Sequence, residues 1–144
     1  MVRRAHVEDG TSRERGELEV TECAQGDLFD PACPTRQLLD RLGTKWISMV
    51  VTVLSDAGDE VRFSELRRRV PGISQKMLSH TLSGLVADGL VQRRVQGSVP
   101  PAVHYRLSSL GVSLVGPLVV LRQWAESHMH EIDLHRQGLG RESA

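Results

Sequence analysis

Residues 61–107 place two helical patterns, a tight turn and two strand patterns in direct succession. Pro71-Gly72 ends the first helical pattern, because proline lacks the amide hydrogen that a continuing helix would use. Ser74 follows as an N-cap, whose side-chain oxygen accepts a hydrogen bond from a backbone amide two or three residues further on. Two helices joined by so tight a turn are typical of a helix-turn-helix, which we predict over residues 63–88.

The second helix of this pair has two distinct faces. A stripe at helical spacing is expected to be buried and consists of Leu78, Leu82, Leu85 and Val86. The opposite face is polar and consists of Gln75, Lys76, Ser79, His80 and Ser83. Gly89 is well placed to end the helix in a left-handed conformation. The alternative interpretation is a plain amphipathic helix packed on a core, with a solvated polar face.

The segments on either side of this helix favour nucleic-acid binding over that alternative. Three consecutive arginines, Arg67 to Arg69, precede the turn. Residues 90–96 and 103–107 alternate as strands do, and a stiff loop over residues 97–101 joins them. We therefore predict a wing over residues 90–107. The expected fold class is α+β, mainly α, a winged helix-turn-helix.

Local charge supports this interpretation although the whole chain is neutral, with 18 basic and 18 acidic side chains. Residues 60–106 contain eight Arg or Lys and three Asp or Glu, a net charge of +5. Residues 1–31 contain four and eight, a net charge of −4. An acidic N-terminal segment therefore offsets a basic module, and the basic module favours a phosphate-rich partner.

Three blocks of sequence carry a family resemblance. They are CPTRQLLDRLGTKW, RFSELRRRVPGISQKMLSHTLSGLVADGLV and VPPAVHYRLSSLG, in that order. Over about residues 33–126 the chain resembles the HxlR family of bacterial winged-helix transcription regulators, relatives of the MarR type. The resemblance implies a homodimer that binds a palindromic operator in double-stranded DNA, with repression as the commoner mode. One departure is His104, where the family more often has an acidic residue.

The residues expected to contact DNA form two groups. The N-terminal part of the second helix is expected in the major groove, where Gln suits adenine and Lys suits guanine; its contacts are Ser74, Gln75, Lys76, Ser79 and His80. Phosphate or wing contacts are expected from Arg68, Arg69, Arg93, Arg94 and Gln96.

The flanking segments predict the rest of the domain, which we place at residues 32–136. Helices are expected over Pro34 to Leu42 and from Lys45 to about Ser55. A long helix over residues 109–136 is apolar on several sides and contains Pro117, where we expect a kink. In so small a chain, burial on several sides favours a second subunit, so this helix and the N-terminal helix are the predicted dimerisation helices. Residues 1–31 and 137–144 are expected to be flexible.

Cellular location and catalysis are constrained mainly by what the sequence lacks. The N-terminus is charged, and the longest apolar run, from Leu110 to Leu121, is shorter than the ~20 residues that span a bilayer. We expect a cytoplasmic protein without membrane contact. Ser79, His80 and Asp88 supply the atoms of a triad, but neighbouring residues on a helix point apart. No phosphate loop or nucleophile elbow occurs, so we expect neither enzymatic activity nor a cofactor.

The signal to which such a regulator responds has two candidate sources. Cys33 lies before Pro34, near a helix N-cap, where the helix dipole and Arg36 favour the thiolate. Some members of the family sense oxidants through a cysteine at this Cys-Pro position, so Cys33 is the candidate sensor of an oxidant or quinone. Cys23 is a weaker candidate and a possible disulfide partner. The alternative is a small half-buried residue without chemical consequence.

The other source is a small organic molecule or a metal near the dimerisation helices. His128, His130 and His135 are weak candidate metal ligands, because they lack a cysteine pair and a tight ligand quartet. Solvated side chains on a fraying helix are the simpler interpretation, and we therefore predict no metal site.

Overall fold

The computed structural model describes residues 28–142, which divide into two units between Thr44 and Lys45. In the first unit, α1 spans Pro34–Leu42, with Cys33 as its N-cap residue and a proline in its first turn, as the sequence predicts. The Cys33 amide donates to the Asp30 carbonyl at 3.0 Å. The Gly43 amide donates to the Leu39 carbonyl at 2.9 Å and ends the helix.

The second unit contains four helices and a three-stranded antiparallel sheet. In chain order these are α2 (Lys45–Ala57), β1 (Val61–Arg62), α3 (Phe63–Arg69), α4 (Gln75–Ala87), β2 (Val91–Gln96), β3 (Ala102–Leu107) and α5 (Ser109–Glu142). The strand order is β1-β3-β2. The predicted winged helix-turn-helix is therefore confirmed, with α3 and α4 as its helices and β2 and β3 as its wing.

These elements pack around a common core. The core is mainly aliphatic, because the chain has few aromatic residues. The apolar stripes of the helices lie at its centre. Its most deeply buried side chains are Val50, Val51, Leu54, Leu66, Val70, Leu78, Leu82 and Leu85. Val86, expected with them, is only half-buried, and Thr81 is buried in its place. Burial of each large aliphatic side chain contributes about 1.5–3 kcal/mol, so this core fixes the orientation of α4.

The sheet is asymmetric in its burial. In β3, Ala102 and Tyr105 are buried, and in β1 Val61 is buried. In β2 only Val91 is buried, and Val95 is 50% exposed. The side chains of β2 alternate between the two faces of the sheet as expected, but both faces are exposed beyond Val91. The reason is that β2 is an edge strand that extends beyond the core.

The helix α5 is longer than the sequence indicates. It continues to Glu142, past the expected end near residue 136 and into the segment 137–144 that we expected to be flexible. Eight large apolar side chains along it are more than one-third exposed: Leu110, Val112, Val120, Leu121, Trp124, Met129, Leu134 and Leu139. Pro117 lies inside the helix. Within residues 28–142, no helix is long and apolar enough to cross a bilayer.

Candidate nucleic-acid interface

The N-terminus of α4 is built as the sequence predicts. The Ser74 hydroxyl oxygen accepts a hydrogen bond from the Met77 amide at 3.0 Å. Gly72, in the turn, has a φ of +85°, and Gly89, after the helix, has a φ of +74°. Any other residue would be strained at either position, so the turn before α4 and the turn after it both require glycine. The Ser74 hydroxyl oxygen accepts this one capping bond, so its hydrogen and its second lone pair remain for a contact outside the protein.

The polar face of α4 is open to solvent. Ser74, Gln75, Lys76, Ser79 and His80 are all exposed, and all belong to the first two turns. Met77, which the sequence analysis did not single out, is also exposed, at 39%. A helix that is fixed by three buried leucines and presents amide, ammonium and hydroxyl groups in one row is able to contact the edges of bases.

A cleft of about 590 Å³ lies between α3 and the start of α4. It is lined by Phe63, Ser64, Arg67, Arg68 and Gln75. Arg67 and Ser64 were not among the predicted contact residues, although the run of three arginines contains Arg67. The cleft brings two guanidinium groups next to the first residue of α4, an arrangement suited to a phosphate that flanks contacted bases.

The guanidinium of Arg68 has a carboxylate partner within α3. Its Nε donates to Glu65 at 3.0 Å, and its terminal nitrogen forms a second bond to the same carboxylate. This bond holds the pKa of Glu65 below its usual value and raises the pKa of Arg68. To bind a phosphate, Arg68 must therefore release Glu65 or bind both anions at once. Arg69 is exposed and forms no ion pair with residues 28–142.

The two arginines of β2 lie on opposite faces of the sheet. Arg93 pairs with Tyr105 across the ladder and shares the face of Val61 and Tyr105, while Arg94 pairs with His104 on the other face. Arg93 is exposed and forms no ion pair with the described residues. Gln96 is exposed at the end of β2. From the sequence we predict both Arg93 and Arg94 as phosphate or wing contacts, but they lie on opposite faces of the sheet.

Arg94 forms a bidentate ion pair with Glu60. Its Nε and a terminal nitrogen donate to the two carboxylate oxygens, each at 2.8 Å. This hydrogen bonding holds the pKa of Glu60 below its usual value, with smaller contributions from the charges of His104 and Arg106. Sequence reasoning missed Glu60, because it lies 34 residues from Arg94 and no local pattern connects them.

The candidate effector residues occupy different surroundings. Cys33 is 5% exposed, a free thiol at the N-cap of α1, and its side chain makes no capping bond. The Arg36 side chain donates to the Phe29 carbonyl at 3.2 Å. Cys23 lies outside the described residues. The structure of this segment thus confirms the N-cap position of Cys33 and adds that the thiol is buried.

The three histidines of α5 do not converge. His128 stacks on Trp124, with ring centroids 4.6 Å apart, and its Nδ1 lies 2.7 Å from the Trp124 carbonyl oxygen. His130 and His135 are exposed. Over the described part of the chain, no three His, Cys, Asp or Glu side chains are grouped so that they could hold a metal ion.

Comparison with known proteins agrees with this geometry. The family model for the HxlR-like helix-turn-helix matches residues 41–133. The HTH-type transcriptional regulator YtfH of Escherichia coli K12, itself uncharacterised, is 34% identical over 108 residues, which cover 75% of this chain and 84% of the relative.

Two solved structures extend the likeness to the fold. A putative transcriptional regulator ytfH from Salmonella typhimurium superposes with a TM-score of 0.71 at 34% identity, covering 78% of this chain and 98% of the other. The redox regulator HypR in its reduced form gives a TM-score of 0.61 at 36% identity, covering 69% and 97%. The exposed helix α4, its wing and these matches lead to one conclusion: the chain belongs to the HxlR family of helix-turn-helix transcriptional regulators.

Proposed function

We propose that the protein is a homodimeric, sequence-specific DNA-binding repressor that inserts α4 into the major groove of a palindromic operator. The observation that carries this proposal is the row of exposed polar side chains on the first two turns of α4. Gln75 suits the N6 and N7 groups of adenine, and Lys76 suits the O6 and N7 acceptors of guanine. Occupation of an operator that overlaps a promoter would exclude RNA polymerase and so repress transcription.

The wing and α3 supply contacts that do not depend on sequence. Arg93, Arg69 and Arg67 are exposed and would neutralise phosphates beside the groove. Each phosphate neutralised makes the dependence of log K on log salt steeper by about 0.9.

The test is a fluorescence-anisotropy titration of the DNA upstream of the gene for this chain, against a scrambled duplex of equal composition. We expect Gln75→Ala to lose most of the preference for the upstream duplex and to keep its affinity for the scrambled one. Arg93→Ala should weaken both alike and reduce the salt slope by about 2, because each subunit of the dimer loses one phosphate contact. If wild type binds both duplexes equally, or if Gln75→Ala and Lys76→Ala leave upstream affinity unchanged, α4 is not the recognition helix.

The exposed apolar residues of α5 support the homodimer. Leu121 and Val120 are more than 60% exposed and Trp124 is 55% exposed. An apolar stripe of this length on a water-soluble helix favours an interface with another protein surface. A second copy of α5 is the partner that a palindromic operator requires, because a two-fold DNA site matches a two-fold protein.

We further propose that Cys33 senses oxidants. Its N-cap position and the likeness to the redox regulator HypR support this. In the simplest reaction two thiols, Cys33 with Cys23 or with Cys33 of a second copy, lose two electrons and two protons to a quinone. The thiols become a disulfide and the quinone becomes a hydroquinone. Because Cys33 is 5% exposed, the segment around it must open before an oxidant reaches the sulfur.

The redox proposal is tested by operator binding of wild type and Cys33→Ser, with and without a benzoquinone. We expect the quinone to change the affinity of wild type and to leave that of Cys33→Ser unchanged. Equal responses of the two proteins would exclude Cys33 as the sensor.

The alternative effector is a small organic molecule, which one further cleft favours. This cleft of about 280 Å³ lies between α2, β3 and the start of α5, and Leu54, Asp59, Arg106, Leu107 and Val112 are among its lining residues. It combines apolar walls with one charge of each sign, as small-ligand sites do. Small carboxylic acids, which would pair with Arg106, should raise the melting temperature of wild type but not that of Val112→Trp, whose larger side chain fills the cleft. The absence of a shift in wild type would exclude this class of ligand.

A further inference from the structure

We propose that Glu60 and Arg94 form a brace that holds the wing in its DNA-binding orientation, so that Arg94 is a positioning residue and Arg93 is the phosphate contact of β2. This inference rests on the proposed DNA-binding function and deepens it. It reassigns Arg94, which the sequence grouped with the phosphate contacts.

The brace connects the two outer strands of the sheet directly. Glu60 directly precedes β1, which has only two residues, and Arg94 lies in the middle of β2. Because β3 lies between these two strands, the ion pair extends across the sheet. The two N–O distances of 2.8 Å have the fork geometry in which arginine and carboxylate bind most strongly.

The wing needs such a connection because the rest of β2 has few contacts with the core. Val91 is the only buried residue of this strand, and every residue from Gln92 to Gln96 is exposed. Beyond Val91, the ladder to β3 is therefore its main support. A two-stranded ribbon twists readily and is marginally stable by itself. A bond from the base of the sheet to the middle of β2 limits this twisting.

The electrostatic surroundings of Glu60 indicate a structural role for its charge. Glu60 is an acid in a basic module, which by charge alone would weaken DNA binding. It lies on the face that carries His104, Arg106 and Arg94, and the charges of all three favour its ionised form. The Glu60 side chain is 25% exposed and that of Arg94 52% exposed, so water screens the pair only in part.

The experiment compares Glu60→Arg, Arg94→Glu and the double charge reversal with wild type, in affinity for the upstream duplex. The brace predicts that each single reversal weakens affinity for this duplex by about two- to fivefold, the range for a partly exposed pair. The double variant should regain the wild-type affinity. Charge alone predicts tighter binding by Glu60→Arg. A direct phosphate contact by Arg94 predicts that the double variant stays as weak as Arg94→Glu. Either of those results would overturn the brace.

A matched control uses the second carboxylate that pairs with an arginine. Glu65→Gln removes the same charge as Glu60→Gln, but its partner Arg68 belongs to the same helix. We expect Glu65→Gln to tighten DNA binding, because it releases Arg68 and removes a negative charge. Glu60→Gln should weaken binding, whereas tighter binding by this variant would contradict the brace.

Hydrogen exchange in the DNA-free protein separates this inference from the proposed function. The amides of β2 and β3 should exchange faster in both single reversals and at the wild-type rate in the double variant. If wild type fails to bind DNA and this exchange pattern is found, the brace stands and the proposed function fails. If wild type binds DNA and exchange is the same in all four proteins, the brace is wrong.

Discussion

One glycine sets how closely α5 approaches the sheet. A Cβ atom added at Gly111 would lie 2.0 Å from the Leu90 carbonyl oxygen and 3.1 Å from a methyl carbon of Leu107. The first of these neighbours is backbone, which cannot turn aside as a flexible side chain does. The Ser108 hydroxyl strengthens the same junction, because it donates to the Gly89 carbonyl and accepts from the Gly111 amide at 3.1 Å. The start of α5 is thus fixed by contacts that only glycine permits.

Gly111→Ala should therefore lower the free energy of unfolding by about 1–3 kcal/mol, the usual cost of overpacking. Gly138→Ala is the control, because a Cβ atom at this helical position meets nothing within 4 Å. Chemical denaturation should leave Gly138→Ala as stable as wild type or slightly more stable. Equal stability of the two variants would contradict the close approach at Leu90.

The brace residue Glu60 gives a prediction in pH. Its pKa is lowered in the folded protein, chiefly by the hydrogen bond from Arg94. A lowered carboxyl pKa contributes stability above the value of the unfolded chain, and this contribution is lost as the pH falls through the lower folded value. The brace is therefore intact at neutral pH and breaks only in acid. By carbon-detected NMR, the Glu60 carboxyl should titrate below an ordinary glutamate, and its midpoint should rise in Arg94→Ala. An unchanged midpoint would exclude Arg94 as the cause.

At the scale of elements, the sequence predicts the features that depend on residues close together in the chain. The N-cap Ser74, the left-handed Gly89 and the leucine stripe of α4 each depend on residues within one or two turns, and all three are found. The opposite orientations of Arg93 and Arg94 also follow from the sequence, because successive residues of a strand point to opposite faces of the sheet. The partner of Arg94 is different, because Glu60 lies 34 positions away and no spacing along the chain reveals the pair.

The observed end of α5 differs from the predicted end for another reason. The sequence predicts an end near residue 136, yet the helix continues through Gly138 and Gly140 to Glu142. A glycine inside a helix costs about 1 kcal/mol relative to alanine, which weakens a helix without necessarily ending it. Glycine often ends a helix by adopting the left-handed conformation, but the described glycines with positive φ are Gly58, Gly72 and Gly89, which all lie outside α5.

The cap of the recognition helix gives a prediction at this scale. Ser74→Ala removes the acceptor for the Met77 amide and should cost about 0.5–2 kcal/mol of stability. Ser79→Ala is the matched control, since Ser79 is exposed within the helix and alanine is the better helix former. Thermal unfolding should show a lower midpoint for Ser74→Ala only. A Ser74→Ala protein as stable as the control would mean that the cap contributes nothing.

At the scale of the whole molecule, the proposed dimer depends on the exposed apolar side chains of α5. Leu121→Glu places a charge in the exposed apolar stripe, and we expect it to convert a dimer into a monomer at micromolar concentration. Val99→Glu is the control, because Val99 is fully exposed in the wing loop, away from α5. Light scattering should give twice the chain mass of 16.0 kDa for wild type and Val99→Glu, and the single mass for Leu121→Glu. A monomeric wild type would contradict the dimer.

The most direct measurement is selection by the wild-type protein from a library of random DNA duplexes, followed by sequencing. The account predicts an enriched palindrome whose half-sites are centred about 10 base pairs apart, one turn of the duplex, so that two copies of α4 lie in successive major grooves. An enriched site without two-fold symmetry would contradict the dimer. No enriched sequence at all would contradict the central claim that α4 recognises DNA.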